Sequence, residues 1–364
     1  MKKYLKYGIV THYNVLNHGA VLQLEALIKF LKEFGVNAKA LQYERNYDYT
    51  DDKLKSKYRV GLGSISFFLK FIKERGLCNF FFLYKKTKIL ARYRKDNNLV
   101  GPDYQKSEPL DGVIVGSDEV FALNIGKTPA LFGYGLPSKK IFAYAGSFGS
   151  TTIEEIDKKA CRELIINGLK GMNGLSVRDQ NSSTIIEALL GKKPELVCDP
   201  VLLYGFEEEL SGMNRPMKEK YMVVYSYDQN MNKVDEVSSI KRVAQENGLK
   251  IISPTFYHKW ADKCPNVDPM GLLEWFKYAE FVVTDTFHGC VMSLITNREF
   301  VVMVRDNGNK IYSLMEMLGL CDRIIGSESM EVILENKLDW NLINKKISVS
   351  RGKSMDYLKQ MISC

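Results

Sequence analysis

Short apolar runs alternate with amphipathic stretches along most of this chain. Tyr7 to His12 reads as a first strand, followed by a polar loop, Tyr13 to Gly19. A helix is predicted from about Ala20 to Phe34, because Val21, Leu24, Leu27, Ile28 and Leu31 recur at helical spacing and Gly35 supplies a stop. Further strands are predicted at Ala38–Tyr43, Gly112–Val115, Ile141–Ala145, Leu175–Val177 and Leu196–Cys198, with a first unit ending near Tyr204. Glu207 to Lys220 is polar, holds Gly212 and Pro216, and reads as a linker. A second series follows: Tyr221–Tyr225, a helix near Val234–Asn247, Lys250–Ile252, Phe281–Val283 and Phe300–Val304. Strands alternating with helical patterns imply parallel βαβ units. The expectation is an α/β protein of two Rossmann-like domains with parallel sheets, facing across a cleft. Their expected bounds are 1–206, with an insertion at about 50–100, and 221–335, followed by a helical tail at 336–364.

Composition narrows the class. A chain of 364 residues suits two domains of ordinary size. Its apolar and charged fractions, 45% and 26%, are those of a globular protein. No apolar run approaches the roughly 20 residues that span a bilayer, and the basic start Met1-Lys2-Lys3 has no long apolar stretch behind it, so a secretory signal is not expected. Seven cysteines without any Cys-x-x-Cys pair fit a reducing compartment, so a cytoplasmic location is expected. The net charge of +8 is uneven. Lys53 to Lys95 holds thirteen Lys/Arg against one acid, Glu74, a net of +12 that leaves the remainder at −4. Phe67, Phe68, Phe71, Phe80 to Phe82 and Tyr84 lie in the same segment. Basic residues interleaved with aromatics suit a helical cover with a solvated face, an anionic membrane surface or nucleic acid; no nucleic-acid motif accompanies the charge.

Polar residues directly after apolar runs are the candidates for chemistry, because ligands of open parallel sheets sit beyond the carboxyl ends of strands. Phe281-Val282-Val283-Thr284 stops on Asp285-Thr286-Phe287-His288-Gly289. The chain has four histidines, and His288 at such a point is either a proton-transfer group or a satisfier of backbone groups. Gly116-Ser117-Asp118-Glu119 follows Val113-Ile114-Val115 and offers close backbone approach with two acids; it also suits an ordinary helix start. Arg178 in Ser176-Val177-Arg178-Asp179 is a fork for phosphate or carboxylate, or half of a structural pair with Asp179. Asn17-His18-Gly19 brings backbone N–H groups to the first strand–helix junction. His288 and Cys290 lack a second ligand pair, so no metal is expected. Gly126-Lys127-Thr128 and Gly352-Lys353-Ser354 imitate the end of a phosphate loop, but Phe121 and Ile347 stand where that motif needs glycine. The Gly-x-Gly-x-x-Gly fingerprint is missing after the first strand, which argues against a nicotinamide enzyme.

Together these pieces resemble the polysaccharide pyruvyl transferase family. The matching elements, in family order, begin with Asn17-His18-Gly19-Ala20-Val21-Leu22-Gln23, Val115 to Phe121, Ala143-Tyr144-Ala145-Gly146-Ser147-Phe148-Gly149 and Leu175 to Asp179. Cys198-Asp199-Pro200-Val201-Leu202-Leu203, Thr284 to Gly289 and Leu318-Gly319-Leu320-Cys321-Asp322-Arg323 complete them. Glu119 and Phe121 stand where the family often has Gln and Trp, His18 where Tyr is common, and Thr286 where some branches have arginine.

The resemblance implies a GT-B-like enzyme. It would move the pyruvyl unit of phosphoenolpyruvate, a co-substrate, onto a sugar to form a ketal, without a further cofactor. It implies donor binding by Arg178, Thr286, His288, Gly289 and Lys310, with Lys310 and Arg178 carrying more because Thr286 is not a cation. Acceptor binding would fall to Asn17, His18, Gly19, Gly116, Ser117, Asp118, Glu119 and Ser147, and catalysis to His288, Asp118 and Arg178. The expected partners are phosphoenolpyruvate, a lipid-linked or nucleotide-linked sugar and, for the basic segment, the anionic inner face of the cytoplasmic membrane, but no nucleic acid. A glycosyltransferase using a nucleotide-sugar and a non-catalytic anionic-glycan binder are the alternatives.

Overall fold

The computed structural model describes residues 4–44, 64–124, 126–305, 308–326 and 328–363, except the side chains of 64–72 and 74. Residues 53–63 of the basic segment, and the side chains of Phe67, Phe68 and Phe71, therefore lie outside the described residues.

Two parallel sheets form the frame. The first contains β1 (Leu5–Val10), β2 (Val36–Gln42), β3 (Val100–Asp103), β4 (Gly112–Val115) and β5 (Ile141–Ala143) in the spatial order β3-β2-β1-β4-β5. β6 (Ser176–Val177) and β7 (Glu195–Leu196) pair with each other, and a bridge from Gly146 to Val177 joins β6 to the loop after β5. The second sheet contains β8 (Tyr221–Tyr225), β9 (Lys250–Ile252), β10 (Phe281–Thr284) and β11 (Glu299–Val302), ordered β11-β10-β8-β9. Ile9, Ile114, Val223, Val282 and Val301 are buried at strand centres. Full burial of such a side chain is worth roughly 1.5–3 kcal/mol.

Each sheet reverses its strand order once. The chain runs from β1 outward to β2 and then returns to the other side of β1 for β4. Likewise β8 pairs with β9 on one side and β10 on the other. Loops leaving the two strands at such a switch point diverge and open a crevice between them. Asn17 and Asp118 stand at the first switch point, Tyr227 and His288 at the second.

The predicted cores of the elements are present, with shifted ends. The first helix runs His18–Glu33 because Asn17 caps it, its side-chain oxygen accepting from the Gly19 N–H at 2.9 Å. Within the expected linker, Glu207–Gly212 forms a helix with three acids in its first turn. The segment Trp340–Ser363 is one helix, and it returns to the first sheet. Its Tyr357 hydroxyl donates to the Ala143 carbonyl at 2.8 Å, and Lys140 donates to the Ile362 carbonyl at 2.8 Å. One hydrophobic cluster runs from Val21 and Leu27 through Val201 and Leu202 to Leu272 and Val291, so the halves share packing.

The basic insertion contributes the helix Ser64–Asp96, kinked at Gly76 where φ is +80°. One side of it docks on the second half. Arg75 and Asn79 hold Asp228 at 3.0 and 2.8 Å, and Lys86 donates to the Thr255 carbonyl at 2.9 Å with its ammonium 4.0 Å from the Phe256 ring centre. Burial lowers the Lys86 pKa to about 7, although nearby Asp228 acts to raise it. Among the described residues no helix is long and apolar enough to cross a membrane.

Candidate active site

A cavity of about 350 Å³ lies where the two switch points face each other. The first half contributes Asn17, Asp118 and Glu119 to its wall. The second contributes Tyr227, Asn230, Asp285, Thr286, His288, Arg305 and Lys310. His288 lies in the first turn of the helix Phe287–Ile295, which Thr286 caps by accepting from the Gly289 N–H at 2.9 Å. The sequence pattern suggested a turn here; the cap turns those same residues into a helix start whose positive end favours an anion. Nε2 of His288 has no hydrogen-bond partner and stands 3.8 Å from Asp199 Oδ2. Burial lowers the His288 pKa; Asp199 and Asp118 act to raise it, and Arg178 and Lys310 to lower it further. The imidazole is therefore neutral near pH 7.

Cations of the wall come from the second half. Lys310 occupies the first turn of the helix Asn309–Leu318, against the dipole, and donates across the cleft to Glu119 Oε1 at 2.7 Å. Arg305 follows β11. Its Nη1 donates to Glu236 at 2.7 Å and its Nε to Asp285 Oδ2 at 3.3 Å, while Nη2 is unpaired. Asp285 Oδ2 also accepts from Ser226 and Asn230 at 2.8 and 2.7 Å, and Oδ1 is unpaired. Burial pushes the Asp285 pKa up against these donors.

Beneath the wall lies an ionic floor. Arg178 donates from Nη2 to Asp118 at 2.7 Å and from Nη1 to Asp199 at 2.7 Å, with its guanidinium 4.4 Å from the Phe287 ring centre. Burial acts to raise the Asp118 pKa, but Arg178, then Lys310, His288 and His12, hold the carboxyl far below the usual range. Among the described residues no three His, Cys, Asp or Glu side chains cluster as metal ligands would.

The family model for polysaccharide pyruvyl transferase matches residues 17–307, a span that holds every residue of this wall except Lys310 and Ile311. The chain belongs to the polysaccharide pyruvyl transferase family. It is a transferase. No curated protein matches it in sequence. Among solved structures it is similar to Arabidopsis thaliana UGT89C1 complexed with UDP-L-rhamnose, with a TM-score of 0.53, 9% identity and 99% of each chain covered. It is also similar to the Methanocaldococcus jannaschii UDP-GlcNAc 2-epimerase in complex with UDP-GlcNAc and UDP, with a TM-score of 0.50, 10% identity and 99% of each chain covered. At such identities the likeness is one of fold, and that fold is GT-B-like.

Several residues that the family resemblance assigned to ligands stand behind the wall. Arg178 was expected to grip the donor, but its side chain is 1% exposed and both amino groups are engaged. A guanidinium between two buried carboxylates pairs with them first. His18, expected on the acceptor side, is buried and its Nε2 pairs with the Val267 carbonyl at 2.7 Å; burial, helped by Lys86, lowers its pKa to about 3. Gly19 is the floor's close approach, since a Cβ there would enter the His288 ring. Gly116, at φ +115°, fits because a Cβ would strike the Tyr144 carbonyl. Ser117 accepts from Thr11 through its carbonyl, and Ser147 Oγ accepts from the Gly149 N–H. Gly289 packs on Thr284. Asn17, Asp118, Glu119, Thr286, His288 and Lys310 are brought together at the wall.

Sequence reading missed Arg305, Tyr227 and Asn230, and quoted Asp285 and Asp199 in their motifs without giving either a role. Arg305 had the signal that drew attention to Arg178, a basic residue just after an apolar run. Asp199 lay inside a quoted family element, and its carboxylate caps the helix Pro200–Tyr204 as well as facing His288. Asn230 reaches Asp285 from 55 residues away, a meeting that no local pattern announces.

Proposed function

We propose that this transferase moves the pyruvyl unit of phosphoenolpyruvate onto a sugar of a polysaccharide precursor, closing a pyruvate ketal and releasing phosphate. The observation that carries the reading is the division of the wall. One side presents His288, whose unpartnered Nε2 is buried toward Asp199, beside Lys310, Arg305 and a helix N-terminus; the other presents Asp118, Glu119 and Asn17. A donor with about three negative charges suits the first side, and sugar hydroxyls suit the second.

The chemistry follows from those positions. Donor anions beside His288 raise its pKa and load the imidazole with a proton. The imidazolium gives that proton to C3 of the enol, making the methyl group and leaving a cationic C2. One sugar hydroxyl adds to C2 and loses its proton to Glu119, which is released from Lys310 once the donor phosphate takes that ammonium. Asp118, locked in its ionised form by Arg178, orients the hydroxyl rather than taking its proton. A second hydroxyl then displaces phosphate, its oxygen bonding to C2 as the bond from C2 to the phosphate ester oxygen breaks. The two hydroxyl protons restore His288 and leave with phosphate.

The test is incubation with phosphoenolpyruvate and a panel of lipid-linked and nucleotide-linked sugars, read by phosphate release and mass spectrometry. The expected product is one acceptor gaining pyruvate less water. Nucleotide release from a nucleotide-sugar, with no phosphate from phosphoenolpyruvate, would replace this reading by glycosyl transfer.

A further inference from the structure

The helix Ser64–Asp96 has two faces beyond its kink. Asn79, Lys86, Leu90 and Tyr93 are buried, spaced by seven, four and three residues, and form the stripe that packs inward. Leu77, Phe81 and Tyr84, spaced by four and three, line the opposite face, and each is 57% exposed. Over seven residues this stripe spans roughly 10 Å. Exposed Lys85 and Lys88 flank it, and exposed Arg92 and Lys95 extend the same face. The Lys88 ammonium stands 5.5 Å from the Tyr84 ring centre. Arg92 is paired, loosely, with Asp96 at 3.3 Å.

We propose that this outer face docks the protein on an anionic lipid bilayer. Aromatic and leucine side chains in a row, rimmed by lysines, match the boundary between acyl chains and headgroups: the rings enter, and the ammonium groups meet lipid phosphate. Charge complementarity selects the bilayer, since exposed lysine and arginine dominate around the stripe. The buried face explains the orientation. Lys86, on the same basic segment, points to Thr255 and Phe256 and takes no part in docking. Because Phe256 lines the cavity, that wall lies about one helix diameter, roughly 10 Å, from the docking face. A lipid-linked sugar would then meet the cavity without leaving its membrane. The docking itself stands apart from the transfer chemistry, and so does its test.

Full-length protein is sedimented with vesicles of phosphatidylglycerol and phosphatidylcholine, or of phosphatidylcholine alone, at low and rising salt. Binding to the anionic vesicles at low salt, release as salt rises and none to the neutral ones are expected. Each Lys or Arg at an anionic surface corresponds to about five-fold in partitioning. Lys85→Glu with Lys88→Glu should therefore lower binding more than twenty-fold, while Lys192→Glu with Lys193→Glu, the same charge change elsewhere on the surface, should leave it within two-fold. Phe81→Trp should show, relative to the wild-type chain, an added blue-shifted emission with anionic vesicles. Phosphate release with a water-soluble acceptor should be unaltered by the Lys85/Lys88 pair. Failure of the wild-type chain to sediment, equal loss in both charge variants, or no such emission shift in the Phe81→Trp variant overturns the proposal. Tighter capture by a DNA duplex than by anionic vesicles overturns it in favour of nucleic acid.

Discussion

Two arginines at strand ends show how differently one residue type is used in the floor and the wall of this site. Arg178 follows β6, sits between Asp118 and Asp199 and is 1% exposed. Arg305 follows β11, shares Glu236 and Asp285, lines the cavity and keeps 30% of its side chain exposed, with Nη2 buried and unpaired. The first neutralises buried carboxylates and fixes Asp118; the second has a hydrogen bond to give. Each arginine has two carboxylate partners, so it is the exposure of the side chain itself, 1% against 30%, that separates a cation that builds the site from one that can receive a ligand. His288 connects the regions, with Asp199 of the floor 3.8 Å behind its Nε2.

The largest expected effect belongs to that connection. His288→Asn should lower kcat by about 10²- to 10⁴-fold, the usual range for a positioned proton-transfer group, while the unfolding midpoint moves little. An unaltered rate of ketal formation would remove His288 from the mechanism. Next comes the same substitution at both arginines. Arg178→Met leaves two buried carboxylates uncompensated and should destabilise by about 3–5 kcal/mol in denaturant titration. Arg305→Met should destabilise less than Arg178→Met, because 30% of the Arg305 side chain is exposed and water screens its pairs with Glu236 and Asp285. It should instead weaken phosphoenolpyruvate by about ten- to hundred-fold, the value of a charge-assisted hydrogen bond of roughly 1.5–3 kcal/mol. Reversal of this pattern, with Arg305→Met unfolding the protein and Arg178→Met changing only donor affinity, would break the distinction between floor and wall.

Acid should separate the regions more gently. The His18 pKa is pushed down to about 3 by burial, so the unfolded chain binds this proton more readily than the folded one. Its stabilising contribution is fully present above pH 6.5 and is lost as pH falls from there towards 3, at up to about 1.4 kcal/mol per pH unit. His18→Asn should flatten that part of the stability curve; an unchanged slope would assign it to other groups. The smallest effect is proton uptake of less than one equivalent on phosphoenolpyruvate binding near pH 7. Calorimetry in buffers of different ionisation heat reads it, and His288→Asn should abolish it.

Much of the fold was legible because buried parallel strands write continuous apolar runs. Gly112–Val115, Tyr221–Tyr225 and Lys250–Ile252 have the predicted bounds. β3 was not legible, since Val-Gly-Pro-Asp has neither alternation nor strand propensity and survives as an edge strand beside β2. Of the site, Asn17, Asp118, Glu119, Thr286, His288 and Lys310 were named from the sequence and line one cavity. Arg305 was not, although it stands just past an apolar run, and Asp285 was quoted in its motif without being given a role.

The sequence by itself determined the two series of strands, the family and which strand ends carry acids, cations and imidazole, because these follow from local patterns and from motifs in order. Only the tertiary structure decided which of those groups are occupied by one another. Arg178 and Asp199 are separated by 21 residues and Lys310 and Glu119 by 191, yet each pair meets at 2.7 Å. Which face of the basic helix is buried was settled in the same way, by Asp228, Thr255 and Phe256 on the other half of the chain. Whether a guanidinium or an ammonium can turn to a ligand depends on how deeply the fold buries it and its carboxylate partners, and that is a property of neighbours in space, which the order of residues does not contain.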